Sequence, residues 1–478
     1  MNFSIIRYIL CRVLEIEGVF LALPCVTALI YGEKSGWAFA ATMALCLGIG
    51  FIGKRFRPKN PVFYAREGFV TVSLSWVMLS LAGALPFTLC GEIPSYTDAL
   101  FEVISGFTTT GASILREVEP LSRCCLFWRS FTHWLGGMGV LVFVMAVLPL
   151  AGGYNMHLMR AESPGPSVGK LTPRVKQTAQ ILYGIYLAMT ILQIVLLLLS
   201  GMPLFDSLTM SFGTAGTGGF GILNDSAASY TAQQQWILTV FMILFGVNFN
   251  VYYLFLIRKP KQALRCEEMR VYLGIIAAAV LAIVWNTRGY FATLAQSFRH
   301  VAFQVASIIT TTGFSTVDFD QWPGLSKNIL VFLMFIGACA GSTGGGIKVS
   351  RCAVLFKSVR NELRCAMHPR SVRRVHFEGR PMEQGVLHSI EKFFAAYMLV
   401  FMASVLIISL ENMDFGSTFT AVAATLNNIG PGLGAVGPAK NFADLSMLSK
   451  YVLMFDMLAG RLEVFPMLVL FMPMTWRK

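Results

Sequence analysis

Long hydrophobic segments alternate with short polar segments along almost the whole chain. Most of the hydrophobic segments are long enough to cross about 30 Å of hydrocarbon as single helices. They cover residues 5–31, 36–52, 68–90, 131–151, 179–201, 236–257, 271–285, 327–340, 393–410 and 451–473. The pattern therefore predicts an all-α integral membrane protein with ten spans, which puts both termini on the same side of the membrane.

Four short polar segments that contain glycine recur within this pattern. Two of them read Thr-Thr-Thr-Gly, at 108–111 and 310–313, and weaker relatives stand at 216–220 and 427–431. Their glycines are about one hundred residues apart, and a small residue precedes each glycine by six positions, which indicates an internal repeat. The equivalent glycines are Gly111, Gly219, Gly313 and Gly430, and the small residues are Ser105, Gly213, Ser307 and Ala424.

The segments that lead into these loops have helical patterns but are too short to cross a membrane. They cover residues 97–108, 205–216, 297–309 and 415–426. We expect re-entrant helices that dip halfway into the membrane. The backbone that follows must be buried in protein or line water, because unpaired N–H and C=O groups in lipid cost several kcal/mol each. The simplest arrangement places the four loops around one axis, with their carbonyl groups facing a common aqueous path.

Composition supports the membrane interpretation. Of 478 residues, 55% are hydrophobic and 13% are charged, and the mean hydropathy is +0.63, which leaves too much apolar surface for a soluble protein. The net charge of +13 reflects the membrane topology rather than binding to nucleic acid. Of the Lys and Arg residues in the connections, 25 lie on the side of the termini and 8 on the opposite side. By the positive-inside rule, both termini are cytoplasmic. The basic connections are 54–66, 151–178, 258–270, 348–383 and 477–478.

The repeated loops have the chemistry of a cation filter. Glycine lets the backbone take conformations that a Cβ forbids, so that carbonyl oxygens can turn toward the axis. Carbonyl and threonine hydroxyl oxygens are neutral ligands, and rings of them can replace the water around a monovalent cation without holding it too tightly. The negative ends of the short helices add attraction. The candidate ligands are Thr109, Thr110, Gly111, Thr217, Gly218, Gly219, Thr311, Thr312, Gly313, Asn428, Ile429 and Gly430.

The sequence leaves alternatives to this interpretation. The Thr-Gly pairs could be helix breakers or packing motifs, since small residues are common where transmembrane helices meet. The second loop contains Gly218 and Gly219 in succession, so its register is uncertain by one residue. Seven acidic residues near the loops could draw cations to the mouth or be ordinary solvated residues. They are Asp98, Glu102, Asp206, Asp318, Asp320, Asp414 and Asp444.

A second glycine-rich stretch interrupts the span at 327–340. Residues 337–346 contain five glycines, and each glycine costs a helix about 1 kcal/mol relative to alanine. We predict a broken helix whose loop lies beneath the filter and acts as a gate. A glycine turn on the cytoplasmic side, just past a short span, is the alternative.

The last hydrophobic segment carries two charged residues, Arg461 and Glu463. Two positions apart on a helix, they point about 200° apart, so we do not expect them to pair. An Arg inside the membrane usually faces a cavity or a partner. Pointed at the pore below the filter, Arg461 would form a barrier to cations. The alternative is a side chain that reaches the membrane interface or caps carbonyl groups.

Nothing in the sequence indicates an enzyme. The six histidines do not cluster with acids or cysteines at metal-binding spacing, and there is neither a Gly-x-Ser-x-Gly motif nor a phosphate-binding loop. The ten cysteines form no Cys-x-x-Cys pair, so a disulfide framework or zinc site is not expected. We interpret the adjacent Cys124 and Cys125 as packing residues and His133 as an interior histidine with satisfied hydrogen bonds.

Six motifs together resemble the Trk/Ktr/HKT superfamily of potassium transporters and, within it, the bacterial Trk branch. They cover the chain from about residue 68 to its end, and the hairpin at 1–53 is similar to the Trk branch rather than to the shorter Ktr branch. The motifs are 108–113, 133–139, 310–316, 341–348, 427–432 and 460–463.

The resemblance implies a fold of four M1-P-M2 repeats around a pseudo-fourfold pore. It places the N-terminal hairpin at 1–53 and the repeats at 54–165, 166–265, 266–380 and 381–478, with a broken second helix in the third repeat. The four equivalent glycines would be the filter glycines. The gate that the resemblance implies consists of Gly341, Ser342, Thr343, Gly344, Gly345 and Gly346, with Arg461 opposite.

The resemblance also implies potassium uptake across the bacterial inner membrane, with K⁺ as the permeant ion bound in the filter and rubidium as a substitute. The implied partners are membrane lipid, a second copy in a homodimer and a cytoplasmic nucleotide-binding ring of the TrkA type; no nucleic acid is expected. The first loop has Gly111 rather than a serine at the filter position, and in this it resembles the potassium-preferring members of the superfamily. Sodium co-transport is an alternative. A sodium- or proton-coupled secondary transporter with a central substrate site at broken helices is the alternative function.

Overall fold

A computed structural model describes residues 1–56, 58, 64–137, 175–368 and 374–476. Helices dominate this part of the chain. Its only strands are β1 (His376–Phe377) and β2 (Arg380–Pro381), which pair antiparallel. The predicted boundary at 165–166, most of the span at 131–151 and residues Met138 and Gly139 lie outside the described residues.

The N-terminal hairpin packs tightly through glycines. α1 (Phe3–Phe20) and α2 (Ala22–Tyr31) follow each other as one span, and α3 (Gly36–Lys54) returns beside them. A Cβ added to Gly53 would lie 2.3 Å from the Cβ of Cys11, so only glycine allows this approach between α1 and α3. α1 also packs against the first helix of the repeats, which places the hairpin at the flank of the first repeat.

Four times the chain then forms a long helix, a short helix that ends in a polar loop, and a second helix. In the first repeat these are α4 (Ala65–Leu89), α5 (Tyr96–Phe107) and α6 (Arg123–Gly137). The second repeat has α7 (Val175–Leu199), α8 (Leu204–Gly216), α9 (Ala232–Phe245), α10 (Phe249–Leu256) and α11 (Pro260–Leu264).

The other two repeats follow the same order. The third has α12 (Glu267–Asn286), α13 (Leu294–Ile309), α14 (Gly324–Ile336) and α15 (Val349–Met367). The fourth has α16 (Gln384–Ile408), α17 (Phe415–Leu426), α18 (Met447–Arg461), α19 (Phe465–Phe471) and α20 (Pro473–Trp476). Short 3-10 turns stand at Phe319–Gln321, Ser409–Glu411 and Gly434–Val436. The short helices α5, α8, α13 and α17 coincide closely with the predicted re-entrant segments.

Fewer helices than predicted can cross a membrane as continuous spans. Within the described residues, six helices are long and apolar enough, and a bent seventh span results when α9 and α10 are taken together. The spans predicted at 327–340 and 451–473 are not continuous, because α14 has 13 residues and α18 and α19 have 15 and 7. The six continuous spans are Phe3–Tyr31, Gly36–Lys54, Arg66–Leu89, Ala179–Leu199, Glu267–Asn286 and Gln384–Glu411.

Second helices break in the last three repeats, whereas the sequence predicted a break in the third repeat alone. α9 and α10 are bent by 89° relative to each other, and Asn248 caps the new helix by accepting the N–H of Asn250 at 2.9 Å. Between α18 and α19, Glu463 and Val464 have φ values of 61° and 62°. Pro466 contributes to that break, because it lacks the N–H group that a continuous helix would bond to a carbonyl four residues earlier.

Candidate ion-conduction site

The four short helices end in the same backbone conformation. One residue in each turn is left-handed, with φ of 55° to 58°, and the next N–H donates to the carbonyl of the small residue noted in the sequence. This six-to-one bond of 2.8–2.9 Å is typical of the Schellman motif, which ends helices. The left-handed residues are Thr109, Thr217, Thr311 and Asn428, and the donors are Thr110, Gly218, Thr312 and Ile429.

The equivalent glycines add a second left-handed residue to each loop. Their φ values are 79° at Gly111, 76° at Gly219, 87° at Gly313 and 97° at Gly430. Glycine adopts these values with little strain, whereas a side chain makes them costly. The shared conformation fixes the register of the second loop, in which Gly219 is equivalent to the other three glycines and Gly218 precedes it.

The four loops form a closed ring through close backbone contacts. Each glycine faces a carbonyl oxygen of the next loop, and the fourth contact returns to the first loop. A Cβ added to each glycine would collide with that oxygen, so the approach itself requires glycine. The distances from such a Cβ are 2.0 Å from Gly111 to Gly218, 1.9 Å from Gly219 to Thr312, 2.1 Å from Gly313 to Ile429 and 2.7 Å from Gly430 to Thr110.

A cavity of about 130 Å³ opens at this ring, on the side from which the short helices enter. All four equivalent glycines line it, which agrees with the predicted arrangement around one axis. The cavity wall also carries Arg116 and Lys440.

The side chains of the loops differ in how they are bonded. In the two Thr-Thr-Thr-Gly loops the first and third hydroxyl groups bond to each other at 2.8 Å, as in the pair Thr108 and Thr110. The Asn428 amide donates to the Thr110 hydroxyl at 3.0 Å. Within the described residues, the Thr109 hydroxyl has no hydrogen-bond partner. The backbone carbonyl groups are therefore what the four loops have in common.

A buried ion pair supports the ring from behind. Glu102 and Arg129 are 1% and 3% exposed and lie 2.5 Å apart. Arg129 also donates to the carbonyl of Gly221 at 2.7 Å and lies over the ring of Phe220 at 3.7 Å, while Glu102 accepts the N–H of Ile114 at 3.0 Å. The pair therefore joins the first loop of the ring to the second. It corrects the interpretation of Glu102 as a solvated acid or an acid at an open mouth.

The other acidic residues near the loops also bond to protein groups. Asp98 pairs with Lys450 at 2.7 Å. The hydroxyl and N–H of Ser417 both donate to Asp414, which lowers the pKa of this carboxyl and caps α17. The further pairs are Asp444 with Arg116, Asp206 with the Tyr230 hydroxyl, Asp318 with the Asp320 N–H, and Asp320 with the Gly434 N–H.

The glycine-rich stretch is a non-helical loop between α14 and α15, in contact with the ring. The N–H of Gly345 donates to the Thr311 hydroxyl at 2.6 Å. A Cβ on Gly344 would lie 2.9 Å from the Thr310 carbonyl oxygen. The loop therefore lies against the end of the ring opposite the cavity, which does not fit a turn that is remote from the filter.

Two basic residues bind this loop. Arg461 donates to the Thr343 carbonyl at 2.8 Å and to the Gly136 carbonyl at 2.6 Å, so it joins the loop to the end of α6. Lys348 donates through Nζ to the Gly344 carbonyl. Arg461 thus does cap carbonyl groups, as one alternative stated, and one of those carbonyls belongs to the predicted gate.

Arg461 and Glu463 do not pair, but the predicted reason is wrong. α18 ends at Arg461, so the two residues do not lie on one helix. Glu463 instead forms an ion pair with Arg351, near the start of α15.

Glu268, which sequence reasoning missed, ties both ends of the glycine-rich loop together. Its buried carboxylate accepts the N–H groups of Ala340 at 2.6 Å and Ser350 at 3.2 Å, which stand before Gly341 and after Gly346. It also accepts the Asn248 amide at 3.3 Å, at the break between α9 and α10. The signal in the sequence was an acidic residue at the start of a hydrophobic segment, where charge usually has a partner.

His133 and its neighbours pack against the second loop of the ring. The His133 ring is buried, 4.2 Å from the centre of the Phe220 ring. Gly136 and Gly137 allow close helix packing. A Cβ on Gly136 would lie 1.9 Å from the Phe107 carbonyl oxygen.

The fold and the site together define an all-α membrane protein built around one ring of four re-entrant backbone loops. The chain belongs to the TrkH family of cation transport proteins, whose family model matches residues 38–478.

Relatives of known name match over the whole chain. The Trk system potassium uptake protein TrkH of Salmonella typhimurium strain LT2 is 39% identical over 491 aligned positions, and that of Escherichia coli strain K12 is 38% identical over 487. Both alignments cover 100% of each chain. The crystal structure of the potassium transporter TrkH from Vibrio parahaemolyticus matches with a TM-score of 0.89 at 36% identity and covers 100% of both chains. The all-α membrane fold and the family resemblance are thereby confirmed.

Proposed function

We propose that this chain takes up potassium ions by conducting them through the ring of four loops. The observation that carries the proposal is the closed ring of glycine–carbonyl contacts at one cavity. Rings of carbonyl oxygens replace the water around a monovalent cation, and the four helix C-termini at the ring add negative potential. The relatives named above are potassium uptake proteins.

The ion ligands in this proposal are backbone oxygens of each equivalent glycine and of the two residues before it. Because side-chain bonding differs among the loops, the shared backbone conformation carries the selectivity. K⁺ is the transported substrate, and Rb⁺ is expected to replace it. Gly219 is the filter glycine of the second loop, preceded by Thr217 and Gly218.

The glycine-rich loop closes the passage in this proposal. It bonds to Thr311 and is held by Arg461 and Lys348. A cation that leaves the ring would meet protein backbone and two positive side chains in place of water. In this proposal, opening breaks the hydrogen bond from Arg461 to the Thr343 carbonyl.

The proposed setting is a bacterial inner membrane with both termini on the cytoplasmic side. The excess of Lys and Arg in the connections on the side of the termini supports this orientation. The partners are membrane lipid, a second copy of the chain and a cytoplasmic nucleotide-binding ring of the TrkA type. This cytoplasmic partner would act on the glycine-rich loop through α15, because this helix begins directly after the loop.

A coupled secondary transporter is the second candidate. The observation that favours it is the number of broken second helices, since unwound segments often form transport sites. The two candidates differ in driving force. In proteoliposomes, the potassium flux of a channel reverses at the potassium equilibrium potential whatever proton or sodium gradient is imposed, whereas a coupled transporter shifts its reversal with the coupling ion.

The variant Gly313→Ser tests the filter. A Cβ there is strained at φ 87° and would lie 2.1 Å from the Ile429 carbonyl oxygen, so the ring must distort. We expect the potassium-over-sodium flux ratio in proteoliposomes to fall at least about tenfold, which corresponds to about 1.4 kcal/mol. Gly289→Ser is the matched control, because Gly289 has a similar φ of 85° and open space around it. A flux ratio that stays at the wild-type value in Gly313→Ser would rule out this filter.

A further inference from the structure

Three side chains of types that can hold a metal ion lie together away from the ring, where α4 ends and α6 begins. The thiols of Cys90 and Cys125 and the carboxylate of Glu92 converge, and their ligand atoms all lie within 4.8 Å of one another. We propose that these three residues bind a thiophilic divalent cation, represented by Zn²⁺. The site was not predictable from the sequence, because the two cysteines are 35 positions apart and do not form a Cys-x-x-Cys motif.

The distance between the two sulfur atoms fits a shared metal ion. The Sγ atoms of Cys90 and Cys125 are 3.9 Å apart. With Zn–S bonds of about 2.3 Å and tetrahedral geometry, two thiolates on one zinc ion are about 3.8 Å apart. A disulfide requires about 2.05 Å, so the observed spacing matches the metal-bound arrangement without further movement of either thiol.

The carboxylate of Glu92 is already oriented toward the thiols. One of its oxygens accepts the Ser35 hydroxyl at 2.8 Å, and the other accepts the Ser122 N–H at 3.1 Å. Hydrogen bonds of this kind hold ligand carboxylates in place and leave lone pairs for the metal. Ser35 belongs to the turn of the N-terminal hairpin, so a bound ion would join the hairpin to the end of α4 and the start of α6.

The cluster combines a buried ligand with access from outside. Cys125 is fully buried, whereas Cys90 and Glu92 are half-buried, so an ion can enter and a water molecule can complete four ligands.

Neighbouring groups are occupied elsewhere. The Cys124 thiol lies 3.3 Å from the Ser122 hydroxyl and is not part of the convergent group. Glu33 caps α6 by accepting the N–H groups of Arg123 at 2.6 Å and Cys124 at 2.9 Å. The proposed site therefore has three protein ligands, and Cys124 provides an internal control.

Cadmium and zinc titrations of the purified full-length protein test the site. With thiols kept reduced before the titration, we expect one Cd²⁺ per chain with thiolate-to-cadmium charge-transfer absorption, displacement by Zn²⁺, and a rise in melting temperature with either ion. Cys90→Ser and Glu92→Gln should each weaken Zn²⁺ binding at least about tenfold. Both residues are half-buried and are expected to tolerate substitution.

Cys124→Ser is the matched control, because it removes the adjacent buried thiol and should leave affinity and absorption unchanged. Equal Zn²⁺ affinity in wild type and Cys90→Ser would overturn the proposal. So would peptide mapping of unreduced protein that finds Cys90 and Cys125 joined in a disulfide. Cys125→Ser should also weaken Zn²⁺ binding, and if this buried substitution prevents folding, the Cys90→Ser and Glu92→Gln titrations still decide the outcome.

Discussion

The residues around the ring differ in how readily a sequence reveals them. The four equivalent glycines of the loops were predictable, because each has a positive φ and faces a carbonyl oxygen with which an added Cβ would collide, so only glycine is acceptable there. Arg129 was not predictable, because its partner Glu102 is 27 positions away, and the sequence offers no way to tell a paired acid from a solvated one. Glu268 was missed although its place at the start of a hydrophobic segment was a signal, because its partners Ala340 and Ser350 are 72 and 82 positions away.

The buried pair should contribute far more to stability than an exposed pair. Arg129→Met leaves the Glu102 charge buried without its partner, and breaking a buried ion pair costs about 3–5 kcal/mol. The pair of Arg116 and Asp444 is 73% and 82% exposed, and such pairs contribute about 0–1 kcal/mol. We expect thermal unfolding in detergent to show a large fall in melting temperature for Arg129→Met and almost none for Arg116→Met.

The double variant Glu102→Leu with Arg129→Met separates the charge from the shape of the site. Removing both partners leaves no unpaired charge and should recover part of the lost stability. Equal melting temperatures for Arg129→Met and Arg116→Met would contradict a supporting role for the pair of Glu102 and Arg129.

Among the elements, the short helices were easier to predict than the breaks in the second helices. A short apolar run before a polar loop gives a helix too short to cross the membrane, and α5, α8 and α17 have 12, 13 and 12 residues while α13 has 16. The break after α14 was visible in its glycines. The bend between α9 and α10 was not visible in the sequence. Its mark is Asn248, whose side chain caps α10, but an asparagine can also stand within a continuous helix.

The glycine-rich loop should open when Glu268 loses its charge. Glu268→Gln replaces charge-assisted bonds to the Ala340 and Ser350 N–H groups by neutral ones, a loss of about 1–2 kcal/mol. We expect about a tenfold rise in potassium flux measured in proteoliposomes without a cytoplasmic partner, since 1.4 kcal/mol is a factor of ten in an equilibrium. Arg461→Ala, which frees the opposite side of the loop, should act in the same direction.

Controls distinguish gating from general destabilisation. Glu267→Gln changes the adjacent acid, which pairs with the half-exposed Lys357, and should leave the flux unchanged. Glu268→Asp keeps the charge and should restore part of the closed state. A lower melting temperature in Glu268→Gln without any rise in unstimulated flux would reduce Glu268 to a structural residue.

At the scale of the whole molecule, four unequal repeats close into one ring. The contacts run from each loop to the next and return from Gly430 to Thr110, so no loop completes its surroundings alone. The sequence predicted this closure. Four irregular loops at membrane depth must keep their unpaired backbone groups away from lipid, and they do so most simply by packing around one axis. The way the loops support one another could not be predicted, since Arg129, Asn428 and the glycine-rich loop connect segments that are far apart in the chain.

An ion held by all four loops should stabilise the whole fold. Binding to the folded state alone adds about 2.7 kcal/mol when the ion is present at one hundred times its dissociation constant. At equal ionic strength we expect a higher melting temperature in potassium and rubidium salts than in sodium or choline salts. Gly313→Ser should remove this difference and Gly289→Ser should keep it, because only Gly313 belongs to the ring. Identical melting temperatures in all four salts for the wild-type chain would mean that the ring holds no ion, and its close backbone contacts would then serve packing alone.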